Sequence, residues 1–147
     1  MGMLPEEIKP AMQGVIPSHV VTCSGDGSPN ASAISQVYYV APDRVALSHQ
    51  FFNKTQRNVQ ENPRALVWVI SPETFDAWDL ELEYDHPETS GPVFEALDMQ
   101  IEAIASIVGL KGIFKLKSAD IYRVIAVTKN VGERIPLAHI DEPADRP

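Results

Sequence analysis

The first third of the chain turns back on itself too quickly to be anything but antiparallel. The β-rich run His19 to Ser24 is followed by the turn cluster SGDGSPN, with two glycines and a proline. The chain then returns as Asn30 to Val40, which reads as one long strand. Ala41-Pro42-Asp43 turns it again into Arg44 to His49. A parallel neighbour requires a crossover of about a dozen residues or more, so these runs are expected to form an antiparallel meander.

The elements that follow have readable limits. In FFNKTQRNVQENP, Asn53 and Gln56 have the spacing of a capping box and Asn62-Pro63 stops the helix. Val59 is its one clear apolar position, so apolar burial does little to explain it. Arg64 to Ile70 reads as a buried strand and Phe75 to Tyr84 as an alternating one, followed by a polar connection, HPETSG. Pro92 to Val108 is strongly amphipathic, with Val93, Leu97, Ile101, Ile104 and Val108 on one face, Pro92 opening it and Gly109 closing it. Lys115 to Val127 supplies the last strand or two. Residues 5–13 predict a short helix. Six or so antiparallel strands with two or three helices make an α+β, mainly β chain built on a small barrel, closed to remove its edges.

At 147 residues the chain is expected to be one domain, with its core over about 16–128 and an exposed tail over 132–147. Its net charge of −8 argues against a surface for nucleic acid, and no apolar run is long enough to cross a membrane. Cys23 is the only cysteine, so no internal disulfide can form; with no secretory signal visible, a cytoplasmic location is expected. No serine occupies a G-x-S-x-G elbow, the four histidines lack metal-ligand spacing, and the glycine-rich phosphate motifs are absent. The carboxylates of DLELEYD alternate along a strand and are expected to face water. His86, beside Asp85 and Glu88, reads as a solvated hairpin tip.

One stretch resists a purely structural account. A strand ends in Ser48, His49 and Gln50, and a helix begins at Asn53 with Lys54, Thr55 and Arg57 in its first turns. The positive end of the helix dipole favours acids, and cations there cost a few tenths of a kcal/mol. Unpaired N–H groups, a lysine, a hydroxyl and an arginine together suit a phosphate monoester. Equally, they suit a solvated polar helix. The strand before, Ala31-Ser32-Ala33-Ile34-Ser35-Gln36, carries small residues where strands usually prefer β-branched or aromatic ones. Either a flat ligand lies against that backbone or another element packs closely there.

These segments resemble the FMN-binding split-barrel superfamily that includes pyridoxamine 5′-phosphate oxidase, and within it the pyridoxamine-oxidase-related branch. The resemblance runs from about Ile16 to Val127 and rests on PSHVVTCSGDGSPNASAISQVYYV, RVALSHQFFNKTQRNVQENPRALVWV and LELEY…GPVFEAL…GIFKLKSADIYRVIAV. It implies a six-stranded antiparallel split β-barrel with flanking helices, FMN as cofactor, and oxidoreductase chemistry on a small-molecule substrate. It also implies a homodimer with cofactor sites between subunits, to which strands apolar on both faces, such as Val67-Trp68-Val69-Ile70, would contribute. The family's phosphate-binding basic pair falls on Lys54 and Thr55, with Arg57 compensating for the hydroxyl. Ser48 and His49, with Gln50 and Asn53 beside them, fall on the strand end and helix start that face the ribityl phosphate or ring. Ala33, Ile34, Ser35 and Gln36 fall along the isoalloxazine. KNVGERIPLAHIDEPADRP contains Arg134 and His139 but no counterpart of the arginine-and-histidine stretch that grips substrate phosphate in pyridoxamine oxidases, so oxidation of pyridoxamine phosphate itself is not implied. The alternative reading is a binding or sensing protein that holds flavin, deazaflavin or haem without turnover, and a third is a degenerate, empty site.

Overall fold

A computed structural model describes residues 3–12, 16–34, 37–49, 54–107, 109 and 115–130. Seven strands, β1 (Ser18–Cys23), β2 (Pro29–Ile34), β3 (Val37–Ala41), β4 (Arg44–His49), β5 (Arg64–Ile70), β6 (Ala77–Glu88) and β7 (Ser118–Asn130), form one antiparallel sheet. Their order is β2-β1-β5-β6-β7-β4-β3. The antiparallel connectivity and the mainly β class are as the sequence implies.

The strand count differs by one, and the reason is instructive. The run Asn30 to Val40, expected as a single strand, is two: β2 pairs with β1 at one edge of the sheet, and β3 pairs with β4 at the other. Consecutive strands therefore occupy opposite edges, which rolls the sheet. The barrel is not closed by a hydrogen-bonded ladder: among the described residues β2 and β3 do not pair, so the seam stays split. Its edges are covered instead. Helix α1 (Lys54–Glu61) lies against β1 and β2, and an N-terminal 3-10 helix (Glu6–Met12) lies against β3 and β5.

The 3-10 helix matches the short helix expected over 5–13; Pro10 lies within it and lacks the N–H for an α-helical bond. Its Ile8, Ala11 and Met12 enter the barrel interior beside Val20, Val45, Val67, Val69, Trp78, Leu80, Leu82 and Val124. A second apolar cluster lies outside the barrel wall, where α2 (Pro92–Ile107) covers Ala46, Ala119 and Ile121. This explains why β4 buries Val45, Ala46 and Leu47 in succession: both of its faces are covered.

The buried stripe of α2 is Leu97, Ile101 and Ala105, not the expected set through Ile104, which is 37% exposed. A spacing of four follows the helix more closely along a straight wall than a step of three. Val108 lies outside the described residues, and Gly109 ends the helix at φ 73°, in the left-handed region that favours glycine. Strand β6 runs further than expected: it pairs with β7 as far as Glu88, taking in the start of the HPETSG connection. His86 is thus on a strand and not at a hairpin tip; it is exposed, with Nδ1 2.7 Å from Asp85 Oδ2. The carboxylates Asp79, Glu81 and Glu83 do face outward, Glu83 meeting Arg123 at 2.7 Å. No described helix is long and apolar enough to cross a membrane. The tail over 132–147, with Arg134 and His139, lies outside the described residues.

Candidate functional site

Helix α1 carries the basic residues, and polar contacts hold it in place. Its buried residues are Thr55, Asn58 and Val59, so two of three are polar. Asn58 Nδ2 donates to Thr22 Oγ1 at 3.1 Å in the buried interface with β1. Asn30 Nδ2 donates to Thr55 Oγ1 at 3.2 Å, and the hydroxyls of Ser32 and Thr55 lie 3.4 Å apart. The small and polar side chains of β2 on this face, Asn30 and Ser32, therefore serve the docking of a helix. Its other face, with Ala31 and Ala33, is exposed. Close packing of another element thus accounts for one face of the small-residue strand and leaves the other open.

The start of α1, the end of β4, the end of β2 and the start of β7 converge on one cleft of about 40 Å³. Of the residues singled out from sequence, Ala33, Ile34, Ser48, His49 and Thr55 line it. Lys54 and Arg57 do not line it; they lie on α1 beside it, Lys54 half-buried and Arg57 exposed. Neither forms an ion pair among the described residues, though Lys54 acts electrostatically on Asp26 in the β1–β2 turn. That carboxyl is held down at about 2, chiefly by the Ser24 hydroxyl and by the Ser28 backbone N–H, with Lys54 a minor contributor. Ser35, Gln36, Gln50 and Asn53 lie outside the described residues.

The remainder of the lining was not singled out from sequence: Val20, Ser32, Leu47, Gln56, Asp120 and Tyr122. Asp120 is the most consequential. It is 5% exposed, and burial pushes its carboxyl above the usual range, partly offset by the Ser118 hydroxyl and by the charge of His49. Ser118 Oγ donates to Asp120 Oδ1 at 2.8 Å and lies 3.3 Å from His49 Nδ1. Tyr122 is buried and its phenol is pushed up by desolvation, with Asp120 and Tyr84 adding to the effect. Tyr84 packs edge-on against Tyr122 at 5.4 Å between ring centres. A carboxylate in an otherwise hydrophobic strand, SADIYRVIAV, was the available signal; nothing local says that it faces His49.

Among the described residues, two larger hollows are shallow and carry none of these residues. One, of about 560 Å³, lies over Val21, Arg64, Leu66 and Glu81 on the outer face of the sheet. The other, of about 600 Å³, lies between the 3-10 helix, β3 and α2. The convergence of polar groups, and not volume, marks the smaller cleft as the candidate site.

No family model matches the chain, and no curated protein does. Solved structures resemble it closely in fold and weakly in sequence. An FMN-binding protein from Syntrophomonas wolfei superposes with a TM-score of 0.69 at 15% identity, over 84% of this chain and 86% of the other. HutZ, the haem-storage protein of Vibrio cholerae, gives 0.57 at 18%, over 88% and 97%. A pyridoxamine 5′-phosphate oxidase-related, FMN-binding protein from Nostoc punctiforme gives 0.53 at 11%, over 90% and 89%.

Proposed function

We propose that this chain, a split barrel of the pyridoxamine 5′-phosphate oxidase-like type, holds FMN at the cleft between β2, β4, α1 and β7 and serves as an oxidoreductase on a small-molecule substrate. The observation that carries this reading is the convergence of Ala33, Ile34, Ser48, His49 and Thr55 on one cleft, with two cations on the adjoining helix that form no ion pair among the described residues.

The donor set fits a phosphate-bearing flavin. Lys54 and Arg57 would hold the phosphate near the start of α1, where the helix dipole adds to their charge. Thr55 has a different part: its hydroxyl is engaged by Asn30 and Ser32, so it anchors the helix that presents the cations. Bound flavin would supply the electron transfer. The chain's own residues would bind and orient it, and Val20 and Leu47 would keep water from the base of the cleft.

A volume of about 40 Å³ accommodates only part of such a ligand, since sites for molecules of this size run to several hundred Å³. We propose that a second copy of the chain completes the site. The outer face of β1 and β5 supports this, with Val21 36% and Leu66 39% exposed beside the tilted ring pair His19 and Trp68. Ala33 lies on this same face and borders the cleft. Apolar side chains bordered by the exposed Arg64 and Glu81 give the apolar centre and charged rim that a dimer interface covers.

The likeness to HutZ favours a second reading, in which the barrel holds haem and does not turn over. The absorbance spectrum of the purified protein tests both. Bands near 370 and 450 nm indicate flavin, a Soret band indicates haem, and neither band after incubation with FMN would overturn the flavin reading.

A further inference from the structure

We propose that Asp120, acting through the Ser118 hydroxyl, is a positioning residue that holds the His49 ring in its Nδ1–H form, so that His49 offers Nε2 to the bound molecule as a hydrogen-bond acceptor. This rests on the cleft being the ligand site.

The argument is one of hydrogen counting. A serine hydroxyl has a single hydrogen to give. Ser118 gives it to Asp120 Oδ1 at 2.8 Å, the shorter of its two contacts and the one with a carboxylate acceptor. Toward His49 Nδ1, 3.3 Å away, the same oxygen presents only lone pairs. A bare Nδ1 would set lone pair against lone pair, so in the neutral ring Nδ1 carries the hydrogen and Nε2 is left bare. The strands build this arrangement. His49 and Ser118 are direct partners across β4 and β7, and Ser118 and Asp120, two residues apart, share one side of β7. Both β7 residues are buried, so water does not compete for the hydroxyl.

The consequence concerns which part of a ligand lies where. An acceptor nitrogen beside a buried carboxylate recognises an N–H or O–H and repels a phosphate. In a flavin, the groups that can donate are the ring imide and the ribityl hydroxyls. The phosphate is thereby directed away from His49, toward Lys54 and Arg57, and His49 reads the ring or its sugar-like chain.

The test is 15N NMR of the His49 ring in the ligand-free protein at a pH where the ring is neutral, followed by titration with FMN. The unaltered protein is expected to show Nδ1 protonated and Nε2 bare. Ser118→Ala is expected to lose that preference and Ser118→Thr to keep it. Asp120→Leu frees the Ser118 hydroxyl to donate to Nδ1 and is expected to invert the form. An Nε2–H ring in the unaltered protein, or no change in Ser118→Ala, would overturn the proposal. With FMN, Ser118→Ala is expected to bind roughly 2- to 10-fold more weakly and Ser118→Thr as tightly as the unaltered protein. Equal affinity despite a changed ring form would overturn the ligand contact. Failure of FMN to bind the unaltered protein would instead overturn the flavin reading, a separate result because the ring form is measured without ligand.

Discussion

Asn58 Nδ2 donates to Thr22 Oγ1 across 3.1 Å, from the buried side of α1 to the inward face of β1, with both residues 2% exposed. This contact and the one from Asn30 to Thr55 do for α1 what an apolar stripe does for α2. A hydrogen-bonded dock is directional, so it fixes the rotation of the helix as well as its position. That rotation decides where Lys54 and Arg57 point.

Breaking the dock should therefore be costly in one form and mild in another. Asn58→Ala leaves the Thr22 hydroxyl buried without its donor and is expected to destabilise the fold by about 1–3 kcal/mol in denaturant unfolding. Combining it with Thr22→Val removes both partners and should recover part of that loss. A double variant as unstable as the sum of the two single ones would show that the pair does not act as a unit.

Lys54→Ala should weaken FMN binding. A charge-assisted contact to phosphate is worth about 1.5–3 kcal/mol, so calorimetric titration is expected to show a loss of roughly 10- to 100-fold. Unchanged affinity would take Lys54 out of the site.

Light scattering should give a mass near twice the 16.2 kDa of one chain. Val21→Asp places a carboxylate among Leu66, His19 and Trp68 on the exposed face and is expected to halve that mass at micromolar concentration. A 16 kDa species from the unaltered protein would end the dimer proposal.

Ala33 is exposed on its own chain and yet borders the cleft. Ala33→Phe should leave the melting temperature of the chain nearly unchanged and abolish FMN binding. If the residue is small only because something packs on it, the variant would instead lose about 1–3 kcal/mol of stability, visible as a lowered melting temperature.

Asp120 makes stability depend on pH in a definite direction. Its carboxyl ionises near 3.8 when unfolded and only at higher pH when buried. Below 3.8 it is protonated in both states and carries no penalty; as pH rises through the folded value the native state must hold a desolvated charge, and stability falls. Urea unfolding of Asp120→Leu should therefore show an advantage over the unaltered protein that grows between pH 4 and pH 7. An advantage of the same size at both would mean that the charge is not the cause.

Much of this protein is written locally, and those parts were legible. The glycine- and proline-bearing turns forced antiparallel pairing, Asn62-Pro63 ended α1, and Pro92 and Gly109 bounded α2, because each acts on backbone angles within a few residues. The polar run from Ser48 through Arg57 stood out as a candidate site for the same reason: cations at a helix start are locally unfavourable.

What remained hidden depended on partners distant in the chain. Asn30 to Val40 has the composition of one strand, and only the pairing of its two halves with β1 and with β4 separates them. Ala105 replaces Ile104 in the buried stripe of α2 because the wall of Ala46, Ala119 and Ile121 sets which face is covered. Ser118, and through it Asp120, reaches His49 across 69 residues of chain through the register of β4 against β7. Alternation along a strand tells which residues share a face, but the register that chooses their neighbours is set by the packing of the whole sheet.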